Sequence, residues 1–401
     1  MTGCEYKHTP LGMIPCEWRL GTIEDIGEVV TGSTPSTNDE SNFGDDYMFV
    51  TPSDLGSNKY ILKTERGISI NGLKKCRSLP AGSVLFVSIG STIGKTGITT
   101  KICATNQQIN AVIPNHENDC AYLFYFLQLK ATAIARLAGK QAVPIINKSH
   151  FASIPLAIPA TKEQKNICAF IDHWDRSIDL TERLIAAKQE RRTWLMQQFL
   201  TGKVRLLGGT DTWSTVTVGD IAEEVSKRNQ GQMGADSVRA VNKSEGMIPM
   251  KNHVMADDLS RYKVIEKAWF AYNPMRINIG SICQLMEAEK ALVSPDYVVF
   301  RCKEHRIDHR YFNAFRRSHR WQSFMEAAGN GSVRIRIYFE DLARLTMLLP
   351  PMEEQRRIAD FLDIADRELG LLRVQLDALR EQKKGLMQQL LTGKMRVKVG
   401  S

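Results

Sequence analysis

The chain has 401 residues, 43% hydrophobic and 24% charged, with 53 Lys and Arg against 44 Asp and Glu, a net charge of +9. That length predicts two or three domains, and the composition excludes a disordered, collagen-like or disulfide-scaffold chain. A modest positive balance permits a polyanionic partner without requiring one. No apolar run is long enough for a bilayer, and no apolar stretch follows a basic one at the N-terminus, so a cytoplasmic location without a membrane partner is expected.

In chain order, residues 1–158 read as a mixed α/β domain. SVLFVSI (83–89) and AVIP (111–114) read as strands and AYLFYFLQLKATAIARLA (121–138) as a helix, with Tyr122 and Phe126 in its core. GSTIGKT (90–96) is not a nucleotide loop: three residues rather than four separate Gly90 from Gly94, and no apolar strand ending in Asp follows to hold Mg²⁺. It reads as a surface loop that could meet a backbone phosphate through its N–H groups, Ser91, Thr92 and Lys95. Residues 159–205 read as one long helix. Residues 206–349 form a second mixed α/β domain, with YVVF (297–300) as a strand and HRYFNAFRRSHRWQSFMEAA (309–328) as a single helix carrying Tyr311 and Phe315 inward. YNPM (272–275) lacks the second Pro and the aromatic of an amino-methyltransferase motif. His305 and His309 stand four apart without a third ligand, and the eight cysteines form no CxxC pair, so no metal site is expected. Residues 350–401 carry a second long helix. No set of catalytic residues is legible.

The chain is written twice. Residues 159–205 and 350–396 align without a gap at an offset of 191, with 20 of 47 positions identical, including LMQQ(F/L)LTGK(V/M)R. A weaker echo opens each half, Trp18 matching Trp213 at an offset of 195. In the second long segment Ile358, Ala365, Leu372, Leu379 and Leu386 recur every seven residues. Leu362, Leu369, Leu376, Lys383 and Leu390 fill the complementary row, broken once by Lys383. The first segment is rougher, with Ile167, Trp174, Thr181, Lys188 and Leu195 on one row and Ile171, Ile178, Ile185, Arg192 and Phe199 on the other. Prolines precede both segments, and Gly202 and Gly393 stand where a C-terminal cap belongs. Helices of about 40 residues span roughly 60 Å. Two such seams in one chain predict an antiparallel coiled coil that relates the halves by a pseudo-two-fold axis, unless each helix buries its seam in its own domain or in another chain.

The densest basic patch is 301–320, where Arg301, Lys303, Arg306, Arg310, Arg316, Arg317 and Arg320 face only Glu304 and Asp308; Arg334 and Arg336 follow. Arginine suits bidentate contact with phosphate and guanine, which makes this the leading nucleic-acid surface, against the alternative of a solvated helix face.

Two variable domains alternating with two near-identical helices that begin P…EQ…I and end LTGK resemble the specificity (S) subunit family of type I restriction-modification systems. The residues that carry the resemblance are Pro159, Glu163, Gln164, Ile167 and Leu200–Lys203, with Pro350, Glu354, Gln355, Ile358 and Leu391–Lys394. GSVLFVSIGSTIGKT and Asn106–Gln107 resemble that family's target-recognition domains. The resemblance implies a non-catalytic subunit whose two target-recognition domains each read half of a split site in double-stranded DNA. The paired helices would set the gap and dock two methyltransferase subunits, with restriction–translocation subunits joining through the complex. S-adenosylmethionine, ATP and Mg²⁺ would belong to those partners, leaving this chain without a cofactor. By position, the candidate DNA contacts are Ser91, Thr92, Lys95, Lys140, Gln141, Asn147 and Lys148 in the first domain. In the second they are Lys227, Arg228, Arg276, Asn278, Arg316, Arg317, Arg334 and Arg336. The candidate helix-pair contacts are Ile167, Ile171, Ile178, Ile185 and Leu195 with Ile358, Leu362, Leu369, Leu372, Leu376, Leu379 and Leu386. The competing readings are a coiled-coil scaffold without DNA specificity and a self-contained nucleotide-dependent or DNA-modifying enzyme.

Overall fold

Two helices of 40 residues each, Thr161–Leu200 and Met352–Leu391, organise the chain. The computed structural model describes residues 5–56, 58–139, 143–206, 212–242, 246–250, 256–329 and 336–397. The chain divides into two units, Met1–Glu182 with Val374–Ser401, and Arg183–Arg373, so each unit holds one mixed α/β domain and half of each long helix.

Within the first unit the helix halves run antiparallel: Glu163 meets Arg396, Asp175 meets Lys383 and Glu182 meets Arg380, all at 2.6 Å. Within the second, Gln189 meets Arg373 at 3.0 Å, Arg192 meets Asp366 at 2.8 Å and Arg205 meets Glu354 at 2.6 Å. The heptad rows face inward throughout. Ile167, Ile171, Leu376 and Leu390 are buried in the first unit, and Phe199, Ile358, Leu362 and Leu369 in the second. Ile178, Ile185, Leu195, Leu372, Leu379 and Leu386 are half-buried. Lys383, the break in the second helix's row, is 13% exposed and is neutralised by Asp175. Its counterpart 191 residues earlier is Arg192, neutralised by Asp366, the counterpart of Asp175. The polar breaks in the two seams are therefore one device used twice.

The same plan governs the sheets. In the first unit β1 (Gly27–Thr31), β2 (Tyr60–Ile61), β3 (Val84–Val87), β4 (Thr96–Thr99) and β5 (Ile109–Pro114) lie in the order β1-β5-β3-β4-β2. In the second, β6 (Ala222–Glu224), β7 (Phe270–Tyr272), β8 (Ile282–Gln284) and β9 (Val298–Cys302) lie in the order β6-β9-β7-β8. The first four strands of each order pair antiparallel, and their registers superpose. Val112 of β5 lies opposite Val29 and Val84, as Phe300 of β9 lies opposite Glu224 and Phe270. The first domain's last strand, Pro155–Ile158, pairs antiparallel with Arg19–Thr22 near its start, and Thr346–Leu349 pairs with Ser214–Thr217 in the same way.

The helix Cys120–Ala135 lays Tyr122, Leu123, Tyr125 and Phe126 into the first core, and Tyr122 Oη donates to the Ala157 carbonyl. Its counterpart in the second unit differs from the single helix expected. It breaks into His309–Phe315 and His319–Gly329, because Ser318 Oγ accepts the Trp321 N–H and starts a new helix. The bend sets Trp321 edge-on to Phe312 and Phe315, at 6.1 and 6.2 Å between ring centroids.

Where the segments of each unit converge, a buried glutamate is clamped. Glu163 accepts Trp18 Nε1–H at 3.0 Å and the forked guanidinium of Arg396 at 2.6 and 3.0 Å. Glu354 accepts Trp213 Nε1–H at 3.0 Å and Arg205 at 2.6 and 2.7 Å. The next residue repeats its work as well. Gln164 and Gln355 accept the backbone N–H of Asp119 and Asp308, and they donate to the carbonyls of Pro159 and Pro350. Gly393 closes its helix at φ +72°, and a Cβ there would stand 2.4 Å from Pro15 and 3.3 Å from the Trp18 ring. The repeated EQ and LTGK–R segments are thus the two sides of one clamp.

Removing a buried carboxylate leaves the donors it satisfied unpaired, so Glu163→Ala and Glu354→Ala, which strand a tryptophan N–H and an arginine, should each cost about 2–4 kcal/mol. Thermal melting should then fall by roughly 5–10 °C. A melting curve indistinguishable from that of the parent would mean that the clamp does not hold the unit together.

Candidate nucleic-acid interface

In the first unit three loops meet around the hairpin between β3 and β4. The hairpin turns on Gly90 (φ +94°) and Gly94 (φ +102°), a region that favours glycine. Ser88 N–H donates to the Gln108 carbonyl at 2.8 Å. Its own carbonyl accepts Ile146 N–H at 2.9 Å, and Gly90 N–H donates to Pro144 O at 3.0 Å. Below them Asn110 is buried and bonded to Ser88 Oγ and Thr31 Oγ1, which fixes the corner from inside. The corner presents Ser91, Gln107, Val143, Ile145, Asn147 and Lys148 to solvent. Val143 is 60% exposed and Ile145 is 45% exposed.

The second unit builds the same corner from the hairpin between β7 and β8. Asn273 N–H donates to Ser281 O, Gly280 takes the left-handed turn at φ +94°, and Ile337 N–H donates to Pro274 O at 3.1 Å. Met275, Arg276, Asn278, Ile279, Asp296 and Arg336 are exposed there. Beneath them Tyr272 is fully buried, its hydroxyl has no hydrogen-bond partner among the described residues, and burial raises its pKa.

The candidates chosen from sequence are thus gathered in part. Ser91, Thr92, Asn147 and Lys148 lie at or beside the first corner, and Arg276, Asn278 and Arg336 at the second. Several have structural partners. Lys95 is folded back, with Nζ donating to the Pro52 carbonyl and its methylenes covering Gly56. Asn147 caps the short helix Lys148–Ala152 by accepting His150 N–H. Lys227 pairs with Glu266 at 3.6 Å, and Arg228 donates to the Arg261 carbonyl. Lys140, Gln141 and Arg334 lie outside the described residues.

The basic run at 301–320 is largely occupied by the chain's own acceptors. Arg301 pairs with Glu223 and stacks near Trp269, while Arg310 holds Asp308, Asp360 and Asp363. Arg320 donates to Thr346. Arg316 donates to Asn313 Oδ1 and the Ile282 carbonyl; burial, with Arg317 alongside, pushes its pKa down to about 10. Arg317 reaches Asp366 at 3.9 Å. His305 precedes the helix on which His309 begins, so the two do not share a helix face. His309 Nδ1 contacts Gln284 Nε2, and burial lowers its pKa. Among the described residues, no group of His, Cys, Asp or Glu could hold a metal ion, and no helix is long and apolar enough to cross a membrane. Sequence reasoning missed Gln107, Gln108, Val143, Ile145 and Asp296 as surface candidates. The sheet register singles out Gln108 and Asp296, the Ile146 and Ile337 N–H bonds single out Ile145, and Gln107 and Val143 are exposed beside them.

The helices carry a second surface. Phe170 and Leu180 are 49% and 58% exposed in the first unit, and their counterparts at offset 191, Phe361 and Leu371, are 37% and 72% exposed in the second. Ile364 and Trp194 in the second unit and Val374 in the first are exposed as well, without an apolar counterpart at that offset.

A family profile described as the type I restriction modification DNA specificity domain matches residues 15–188 and again 210–380. The chain is similar to the type I restriction enzyme MjaIX specificity subunit of Methanocaldococcus jannaschii, 32% identical over 181 residues, 44% of this chain and 42% of that protein. It is also similar to the MjaVIII specificity subunit of the same organism, 22% identical over 417 residues, 96% of this chain and 94% of that protein. The chain therefore spans less than half the length of the first relative and nearly all of the second. A solved chain of a type I R-M system shares the fold, with a TM-score of 0.60 at 15% identity over 95% of this chain and 99% of that one.

Proposed function

The chain belongs to the family of type I restriction modification DNA specificity domains, and on that premise we propose that it is the subunit that directs such a complex to a split DNA sequence. The observation that carries this reading is the duplicated corner: two sheets of one topology present two loop sets of different chemistry, as an asymmetric bipartite site requires. Each domain would read one half-site in duplex DNA through its hairpin corner, with side chains such as Lys148 meeting phosphates. The chain itself would be non-catalytic. S-adenosylmethionine would be held by methyltransferase partners, and ATP with Mg²⁺ by restriction–translocation partners, in the cytoplasm.

The paired helices would serve two further ends. Their inward rows would fix the spacing of the half-sites. The exposed apolar pairs Phe170 and Leu180 in the first unit and Phe361 and Leu371 in the second, repeated at the same offset, would seat two methyltransferase subunits, one on each.

Mapping N6-methyladenine by long-read sequencing in cells with and without this gene tests the reading. A split motif that disappears with the gene is expected; an unchanged methylome beside an active methyltransferase would refute it. Adding one heptad to both helices, about 10 Å, should lengthen the gap in that motif by roughly three base pairs. A gap of the old length in an assembled variant would refute the spacing role. Placing aspartate at Leu180 and Leu371 together should leave the isolated chain folded by circular dichroism and abolish its co-purification with the methyltransferase. Full retention of the partner would dismiss these apolar pairs as its seat. Lys148→Ala in the assembled complex should weaken binding of all duplexes alike and lower the slope of log affinity against log salt by about one; an unaltered slope would remove Lys148 from the contact surface.

A further inference from the structure

The two corners can be superposed residue by residue, because sheet register and loop hydrogen bonds fix the equivalence where sequence identity has vanished. Phe86 lies opposite Thr96 and Tyr272 opposite Ile282, so the hairpins 87–95 and 273–281 are of equal length and Gly90 corresponds to Arg276. Counting back along β5 and β9 from Val112 and Phe300, which occupy the same place in their sheets, Gln108 corresponds to Asp296. Ile146 N–H donates to Ser88 O as Ile337 N–H donates to Pro274 O, and Ser88 and Pro274 hold the same hairpin position, so Ile145 corresponds to Arg336. At three equivalent positions the first corner carries Gly, Gln and Ile, and the second carries Arg, Asp and Arg.

These are different chemistries for base edges. In the major groove an amide side chain matches adenine, and an apolar side chain matches the thymine methyl. A guanidinium fork matches guanine O6 and N7, and a carboxylate accepts from cytosine N4. Ile145 and its neighbour Val143 are 45% and 60% exposed, an arrangement suited to thymine methyl groups. Gln108 is half-buried, with Oε1 accepting from Asn106 Nδ2, and Gln107 is exposed beside it with Oε1 accepting from Thr34 Oγ1, so each amide is a fixed group. Arg276, Asp296 and Arg336 are all exposed. We infer that the first domain reads its half-site at A·T pairs, through Ile145 and the Gln107–Gln108 amides. The second reads at least one G·C pair, through Arg336 or Arg276 with Asp296. This inference rests on the specificity-subunit reading and assigns to each half the class of base pair it selects.

The test is the methylome of cells carrying the complete system with the parent chain, Arg336→Ala, Arg276→Ala, Arg336→Lys and Ile145→Ala. The parent motif should hold guanine or cytosine in one half and A·T pairs at the corresponding positions of the other. Arg336→Ala or Arg276→Ala should relax one guanine position by about tenfold to a hundredfold, leaving the opposite half unchanged. Arg336→Lys keeps the charge without the fork, so it separates lost recognition from lost folding; if Arg336 is the reader, this variant should still methylate, with the same position relaxed. Ile145→Ala should relax a thymine in the other half. A parent motif with no G·C pair in either half, or motifs unchanged in both arginine-to-alanine variants, would overturn the inference and leave the specificity role standing. The absence of any split motif dependent on this gene would remove both.

Discussion

A buried glutamate with two partners from elsewhere in the chain sets the geometry of each unit. A carboxylate that loses its water must be repaid by hydrogen bonds and an opposite charge, and the guanidinium fork supplies both in one plane. For Glu163 the fork comes from Arg396, beyond the far end of the other long helix, and the remaining donor comes from Trp18, at the threshold of the sheet domain. Glu354 is served by Arg205 and Trp213 in the same way. The charges are satisfied only when the helices run antiparallel in one register; slipping by a heptad, about 10 Å, would strand both ions. The ion pairs Asp175–Lys383 and Asp366–Arg192 add a second constraint of the same kind inside the seam.

This division of labour explains why the helices repeat closely while the sheet domains do not. A helix residue in the clamp or in the heptad rows has fixed partners, and a change there leaves a void or a stranded charge. Apart from the glycines at positive φ, a residue at the tip of the β3–β4 or β7–β8 hairpin rests on backbone hydrogen bonds that form whatever side chain it carries. The corner is a fixed mount whose surface residues differ between the two units without a change in the sheet beneath, as Ile145 and Arg336 in the loop beside each hairpin illustrate.

The duplication, the heptad rows and the capping glycines were legible in the sequence because they rest on side-chain identity at fixed spacing. The aromatic core positions Tyr122 and Tyr311 were legible for the same reason, since apolar residues at helical spacing declare their face. What sequence could not show was partnership. The arginines at 301–320 read as a free basic patch, yet Arg301, Arg310 and Arg320 each hold acceptors far away in sequence, invisible to a local count of charge. The break at Ser318 was hidden because its hydroxyl cap competes with an otherwise continuous helical pattern. The correspondence of Gln108 with Asp296 left no trace in sequence, since it resides in strand register, which survives when residue identity does not.

The first unit's core includes Met387, Leu390 and Leu391, and its clamp requires Arg396. During synthesis those residues leave the ribosome only after Arg183–Arg373, the whole of the second unit, has been made. At about 5–20 residues per second that interval is roughly 10–40 s. Through it the nascent first sheet lacks its last apolar neighbours and Glu163 lacks its arginine. The order of translation thus leaves the earlier-made domain to be completed last, and in that interval the nascent chain depends most on shelter from aggregation.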